Sequence, residues 1–134
     1  MLAASGIAAL SGLRLPRTAA QAKKLKVGVL LPRSGLQAQT GQSCQLGADL
    51  APQVLRELLG VEIELMNADT ESNADTARSR AERLIEQGAN VLVGAFDSGH
   101  TMAVAQVAEQ RKIPHIVNVA AAPLITEQGY KFVF

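Results

Sequence analysis

The sequence has no tryptophan, one tyrosine and three phenylalanines, so aromatics make up 3% of its 134 residues. That is too few for the stacking platforms used by single-strand nucleic-acid sites or sugar sites. A single cysteine, Cys44, excludes an intrachain disulfide and a cysteine-based metal centre. It reads as a small apolar packing residue. Two histidines and scattered carboxylates give no metal-ligand spacing. Neither charge dominates: 13 Lys and Arg against 12 Asp and Glu leave a net +1. A near-neutral chain makes no electrostatic case for nucleic acid or an anionic membrane surface.

Nucleotide and phosphoryl motifs are missing too. No G-x-G-x-x-G follows the first strand-like run, where Leu31-Pro32-Arg33-Ser34-Gly35-Leu36 stands. Gly35 and Gly41 have the wrong spacing for a P-loop, and no lysine follows. A receiver domain needs acidic residues after the first strand, and Leu31-Pro32-Arg33 supplies none. No G-x-S-x-G is present, because residue 96 is Phe. Asp97, Ser98 and His100 lie within four positions, whereas a triad converges from separate loops. The sequence therefore does not read as an enzyme, and no cofactor or metal is expected. His100 reads as a first-turn helix residue and His115 as a packed or edge histidine.

What is present is 48% hydrophobic and 19% charged, enough apolar content for a core. Residues Met1 to Ala22 contain no Asp or Glu. A small-residue apolar run from Met1 to Leu13 is followed by Arg14, Arg17 and Ala20-Gln21-Ala22. This resembles a secretory signal peptide, too short to span a bilayer. No basic stretch precedes it. Met1 to Gly6 looks like the part after the arginine pair of a twin-arginine signal, with a truncated or internal start. The expected division is a signal-like segment over 1–22 and a globular unit over 23–134.

Beyond Lys23, strand and helix patterns alternate. Leu25 to Leu31 reads as a buried strand ended by Pro32 and Gly35. Gly41 to Leu59 carries Cys44, Gly47, Ala51, Leu55 and Leu58 on one helical face, with Pro52 expected to kink or split it. Val61 to Met66 alternates as a strand. Asp75 to Gln87 is helical, with Ala77, Ala81, Leu84 and Ile85 inward and Arg78 and Glu82 as an outer i,i+4 pair. Asn90 to Ala95, Pro114 to Asn118 and Lys131 to Phe134 are further strands, and Thr101 to Gln110 is a third helix. This order predicts an α/β fold with an open parallel sheet and helices on both faces. Ligands of such sheets sit beyond the strand carboxyl ends. Ser98 fits two roles there. It is a natural N-cap, and with Gly99 and Thr101 it could also form an anion cradle of N–H groups and hydroxyls. The residues alone leave both roles open.

Val27 to Gly35, Gly41, Gly47-Ala48, Asn67 to Thr70, Ala77 to Ile85 and Val91 to Gly94 stand in a distinctive order. Ser98 to Pro114, Ala120 to Leu124 and Thr126 continue it. As a set they resemble the type I periplasmic solute-binding proteins of ABC importers, the leucine/isoleucine/valine-binding group. The resemblance implies the N-terminal lobe of that fold, with flavodoxin-like strand order and incomplete here. It also implies a periplasmic component that binds a small carboxylate-bearing ligand between two lobes, the second lobe absent here. A branched-chain amino acid or an aromatic or aliphatic acid fits that description. An importer permease is the implied partner, without nucleic acid or stable membrane insertion. Ser98 and its neighbouring N–H groups would hold the carboxylate. The family uses a backbone carbonyl at the position of Val119, a Thr hydroxyl at Ala121 and an aromatic cover at Thr40. Ala121 has no hydroxyl and Thr40 no ring, which favours an acid lacking an α-amino group. A cytoplasmic ligand-sensing domain of the same fold is the alternative, and the signal-like segment argues against it.

Overall fold

The computed structural model describes residues 24–134. The signal-like segment 1–22 lies outside the described residues. Strand β1, Leu25–Leu31, is the apolar run read above. It is paired in parallel on both edges. Strand β2, Ile63–Asp69, matches it residue for residue from Leu25 opposite Ile63 to Leu31 opposite Asp69. Strand β3, Val91–Gly94, takes the other edge from Val27 opposite Val91 to Leu30 opposite Gly94. Strand β4, His115–Ile116, pairs with β3, so the sheet order is β2-β1-β3-β4. The fifth strand begins as a single parallel bridge between His115 and Val133. The α/β fold and its parallel sheet are as the sequence predicts.

Helix α1, Ala38–Leu59, links β1 to β2. Helix α2, Ala74–Glu86, and helix α3, Ser98–Arg111, carry the chain to β3 and β4. The winding reverses between β1 and β3, and right-handed crossovers then put α1 on one face and α2 and α3 on the other. Leu30, Ala68 and Leu92 pack beneath α2 and α3 with Ala77, Ala81, Leu84, Val104, Val107 and Ala108. On the opposite face, Val27, Val29, Leu31 and Val93 join Cys44, Ala48, Ala51 and Leu55 of α1 around an apolar hollow of about 350 Å³.

Several details differ from the sequence reading. Pro52 does not split α1, which runs as one helix of 22 residues. Ala48, Ala51 and Leu55, on both sides of it, all face the sheet across the hollow. Gly47 and Leu58 point away from the sheet rather than into it. Strand β2 runs on to Asp69 because every residue from Ile63 has a partner on β1. Arg78 donates to Gln106 of α3 instead of pairing with Glu82. A glycine is required at the start of α1, since a Cβ at Gly41 would lie 2.0 Å from the Pro32 carbonyl oxygen.

Candidate functional site

The carboxyl ends of β1, β2 and β3 open into loops, and one carboxylate ties the first two together. Asp69 Oδ1 accepts the N–H groups of Arg33, Ser34 and Glu71 at 2.9, 3.2 and 2.9 Å. Ser72 adds a second link, donating its hydroxyl to the Ser34 carbonyl and accepting the Gln37 N–H. Burial works to raise the Asp69 pKa. The Glu71 N–H, the Ser34 hydroxyl and the Arg33 and Ser34 N–H groups outweigh it and hold the carboxyl below its ordinary value. The sequence reading gave Asp69 no such role. Its position at the end of an apolar strand was the available signal.

At β3 the chain turns through Ala95 and Phe96 into α3. Asp97, not Ser98, is the N-cap, with extended φ and ψ of −90° and 166°. Its Oδ1 accepts the His100 N–H at 2.9 Å, and its Oδ2 lies 2.8 Å from His100 Nδ1. Asp and Ser are both strong cap formers, and the chain enters helical geometry at Ser98, one residue earlier than a Ser98 cap requires. Ser98 is therefore the first helical residue, half-buried. Its hydroxyl makes no hydrogen bond among the described residues. The His100 and Thr101 N–H groups donate to the Asp97 carboxylate and carbonyl, leaving the Ser98 and Gly99 N–H groups open.

Thr101 occupies a different place from the one expected. It is fully buried, and its hydroxyl donates to the Ala95 carbonyl at 3.1 Å. That bond fixes the loop before Ser98 and leaves no hydroxyl for a ligand. Thr40 is exposed on the first turn of α1. Val119 and Ala121 are exposed in the segment between β4 and the short 3-10 turn Pro123–Ile125. Ser98, Gly99, Thr40, Val119 and Ala121 thus share the carboxyl end of the sheet. None of them lines the apolar hollow, which lies on the sheet face under α1 and reaches Asn118, next to Val119.

His100 is buried in the first turn of α3. His115 is fully buried, with Nε2 on the Gly94 carbonyl and Nδ1 unpartnered. Burial lowers the His115 pKa, and the Gly94 carbonyl opposes this only in part. No group of three or more His, Cys, Asp or Glu that could hold a metal occurs among the described residues. Among the described residues no helix is long and apolar enough to cross a membrane.

Residues 24–134 match the family model described as periplasmic binding protein. The chain belongs to that family. It is 30% identical over 129 residues to the Leu/Ile/Val-binding protein homolog 6 of Brucella abortus, covering 92% of this chain and 33% of that protein. One similar structure is the branched-chain amino acid transporter substrate binding protein LivJ of Streptococcus pneumoniae in complex with isoleucine. It has a TM-score of 0.76 and 28% identity, over 84% of this chain and 33% of that one. Another is an ABC transporter solute binding protein of Rhodopseudomonas palustris in complex with 3,4-dihydroxybenzoic acid. It has a TM-score of 0.73 and 29% identity, over 82% of this chain and 31% of that one. The chain spans about a third of the length of the relatives it matches. The fold expected from the resemblance is the one found.

Proposed function

We propose that this family member is the ligand-binding component of an ABC importer and holds a small carboxylic acid at the N-terminus of α3. The observation that carries the reading is the division of labour between Asp97 and Ser98. Asp97 caps the helix, so the Ser98 hydroxyl and the Ser98 and Gly99 N–H groups are left over. Three donors at a helix N-terminus suit one carboxylate, and the helix dipole favours its charge. Isoleucine and 3,4-dihydroxybenzoic acid, the ligands of the two similar structures, both carry that group. With Ala in place of a hydroxyl at 121 and Thr in place of a ring at 40, an acid without an α-amino group is the better fit. Binding then proceeds by closure of two lobes, without chemistry. The protein acts in the periplasm and delivers its ligand to the importer's permease.

The test is Ser98→Ala in the protein expressed from its complete coding sequence, titrated calorimetrically with benzoate, 3,4-dihydroxybenzoate and isoleucine. Charge-assisted hydrogen bonds contribute about 1.5–3 kcal/mol, so affinity should fall about tenfold to a hundredfold. The apo melting temperature should stay nearly unchanged, because Asp97 is the cap. Unchanged affinity for every acid would overturn the reading. Export has its own check: residues 1–22 with their upstream codons should carry a reporter out of the cytoplasm and be cleaved after Ala22.

A further inference from the structure

Arg33 has a backbone held at both ends and a side chain held by nothing in the described chain. Its N–H is fixed by Asp69 Oδ1, and its carbonyl accepts from Gln42 Nε2 at 3.0 Å. The ion pairs among the described residues join Lys24 to Glu62 and Arg80 to Glu71, His100 Nδ1 lies against Asp97, and Arg33 takes part in none of these contacts. Its Nε is enclosed and has no acceptor. Enclosed donors without partners are rare, because each keeps the full cost of its lost hydration. Gln37 Oε1 in the same loop is enclosed and unpartnered too, but a neutral acceptor leaves the guanidinium charge unbalanced.

The position is as informative as the missing partner. Strands β1 and β3 are neighbours, with Leu30 opposite Gly94 as their last register pair. Arg33 and Asp97 each lie three residues beyond that pair. Arg33 and the cap of α3 therefore stand on the connections that leave two adjacent strands, at the point where the winding reverses. The Ser98 hydroxyl and the two open N–H groups suffice for one carboxylate. A guanidinium adds a full positive charge and a planar fork of donors that matches a second.

We propose that Arg33 is a specificity-determining residue that binds a second carboxylate, so that the preferred ligands are dicarboxylic acids. This inference rests on the Ser98 reading. One carboxylate sits on the N-terminus of α3, and the other meets the fork of Arg33 across the β1–β3 crevice.

The experiment measures affinity in the protein from the complete coding sequence with matched pairs of probes. These are benzoate against benzene-1,4-dicarboxylate, and pentanoate against pentanedioate. The unmodified protein should prefer at least one diacid to its monoacid by about tenfold or more, as a charge-assisted bidentate contact implies. Arg33→Gln should abolish that preference, lowering diacid affinity by about tenfold more than monoacid affinity. Arg33→Lys, which keeps the charge without the fork, should retain only part of it, and it decides the matter if Arg33→Gln does not fold. Two results overturn the inference: no diacid preference in the unmodified protein, or equal losses for monoacid and diacid in the variants. If Ser98→Ala weakens all acids while the Arg33 variants keep the preference, only the Arg33 inference falls. If Ser98→Ala leaves benzoate and pentanoate unaffected, the Ser98 reading falls with it.

Discussion

Leu30 and Leu92 are fully buried under α2 and α3, while Val27, Val29 and Val93, their strand neighbours of opposite parity, line the hollow beside α1. Alternation along a strand sends equivalent side chains to two faces, and what each face meets decides how much it stabilises. On the closed face, Ala77, Ala81 and Ala108 let two helices approach the sheet closely, and Val104, Val107 and Leu84 fill the remainder. On the open face one helix covers β1 and β2, and its Leu46, Leu50 and Leu58 point away from the sheet. Apolar content alone did not distinguish the faces. The number of helices laid across each did.

The difference is measurable. Leu92→Ala leaves a cavity in the closed face and should cost about 2–5 kcal/mol in urea unfolding. Val27→Ala, on the wall of the hollow, should cost about 1 kcal/mol or less. Equal losses would mean that the hollow is closed in solution. The next effect compares the two sides of α1. Gly41→Ala drives a Cβ into the Pro32 carbonyl and should cost about 1–3 kcal/mol. Gly47→Ala meets nothing within 4 Å and should instead stabilise by about 0.5–1 kcal/mol through helix propensity. The pair is read from thermal and urea midpoints.

A smaller effect follows pH. Burial holds the folded pKa of His115 below the ordinary imidazole value of about 6.5, so the unfolded chain takes up that proton first. Stability is full above about pH 6.5 and declines as pH falls from there toward the lower folded value. His115→Gln should flatten this decline. Asp69 acts in a separate window: its folded pKa is lowered, so its contribution is present above about pH 4 and is lost below it. Asp69→Asn should remove that second decline. An unchanged slope in His115→Gln between pH 5 and 7 would show that the imidazole is solvated.

Much of the fold was legible because strand and helix periods differ and the chain alternates between them. The polar end of β2 was not. Asn67 and Asp69 look like turn residues in isolation, but Asn67 takes a hydrogen bond from Gln45 and Asp69 serves three N–H groups, so tertiary partners extend the strand. The candidate site residues were legible as a place, the carboxyl end of the sheet, rather than as a set of roles. Asp97 and Ser98 are adjacent cap formers, and only backbone geometry decides between them. The Thr101 hydroxyl looked available until the fold set the Ala95 carbonyl above it. Nothing in the sequence marks Arg33, because a missing partner is a property of three-dimensional surroundings.

The Asp69 carboxylate, described above as a knot of hydrogen bonds, also has an entropic consequence. Two connections that leave separate strands are fastened at a single point, so they fluctuate as one body rather than two. Under the proposed binding role, a ligand arriving at this rim would meet a surface already ordered on that side. The ordering cost that accompanies capture by loose loops, about 0.5–1.5 kcal/mol for each immobilised side chain, is then met during folding.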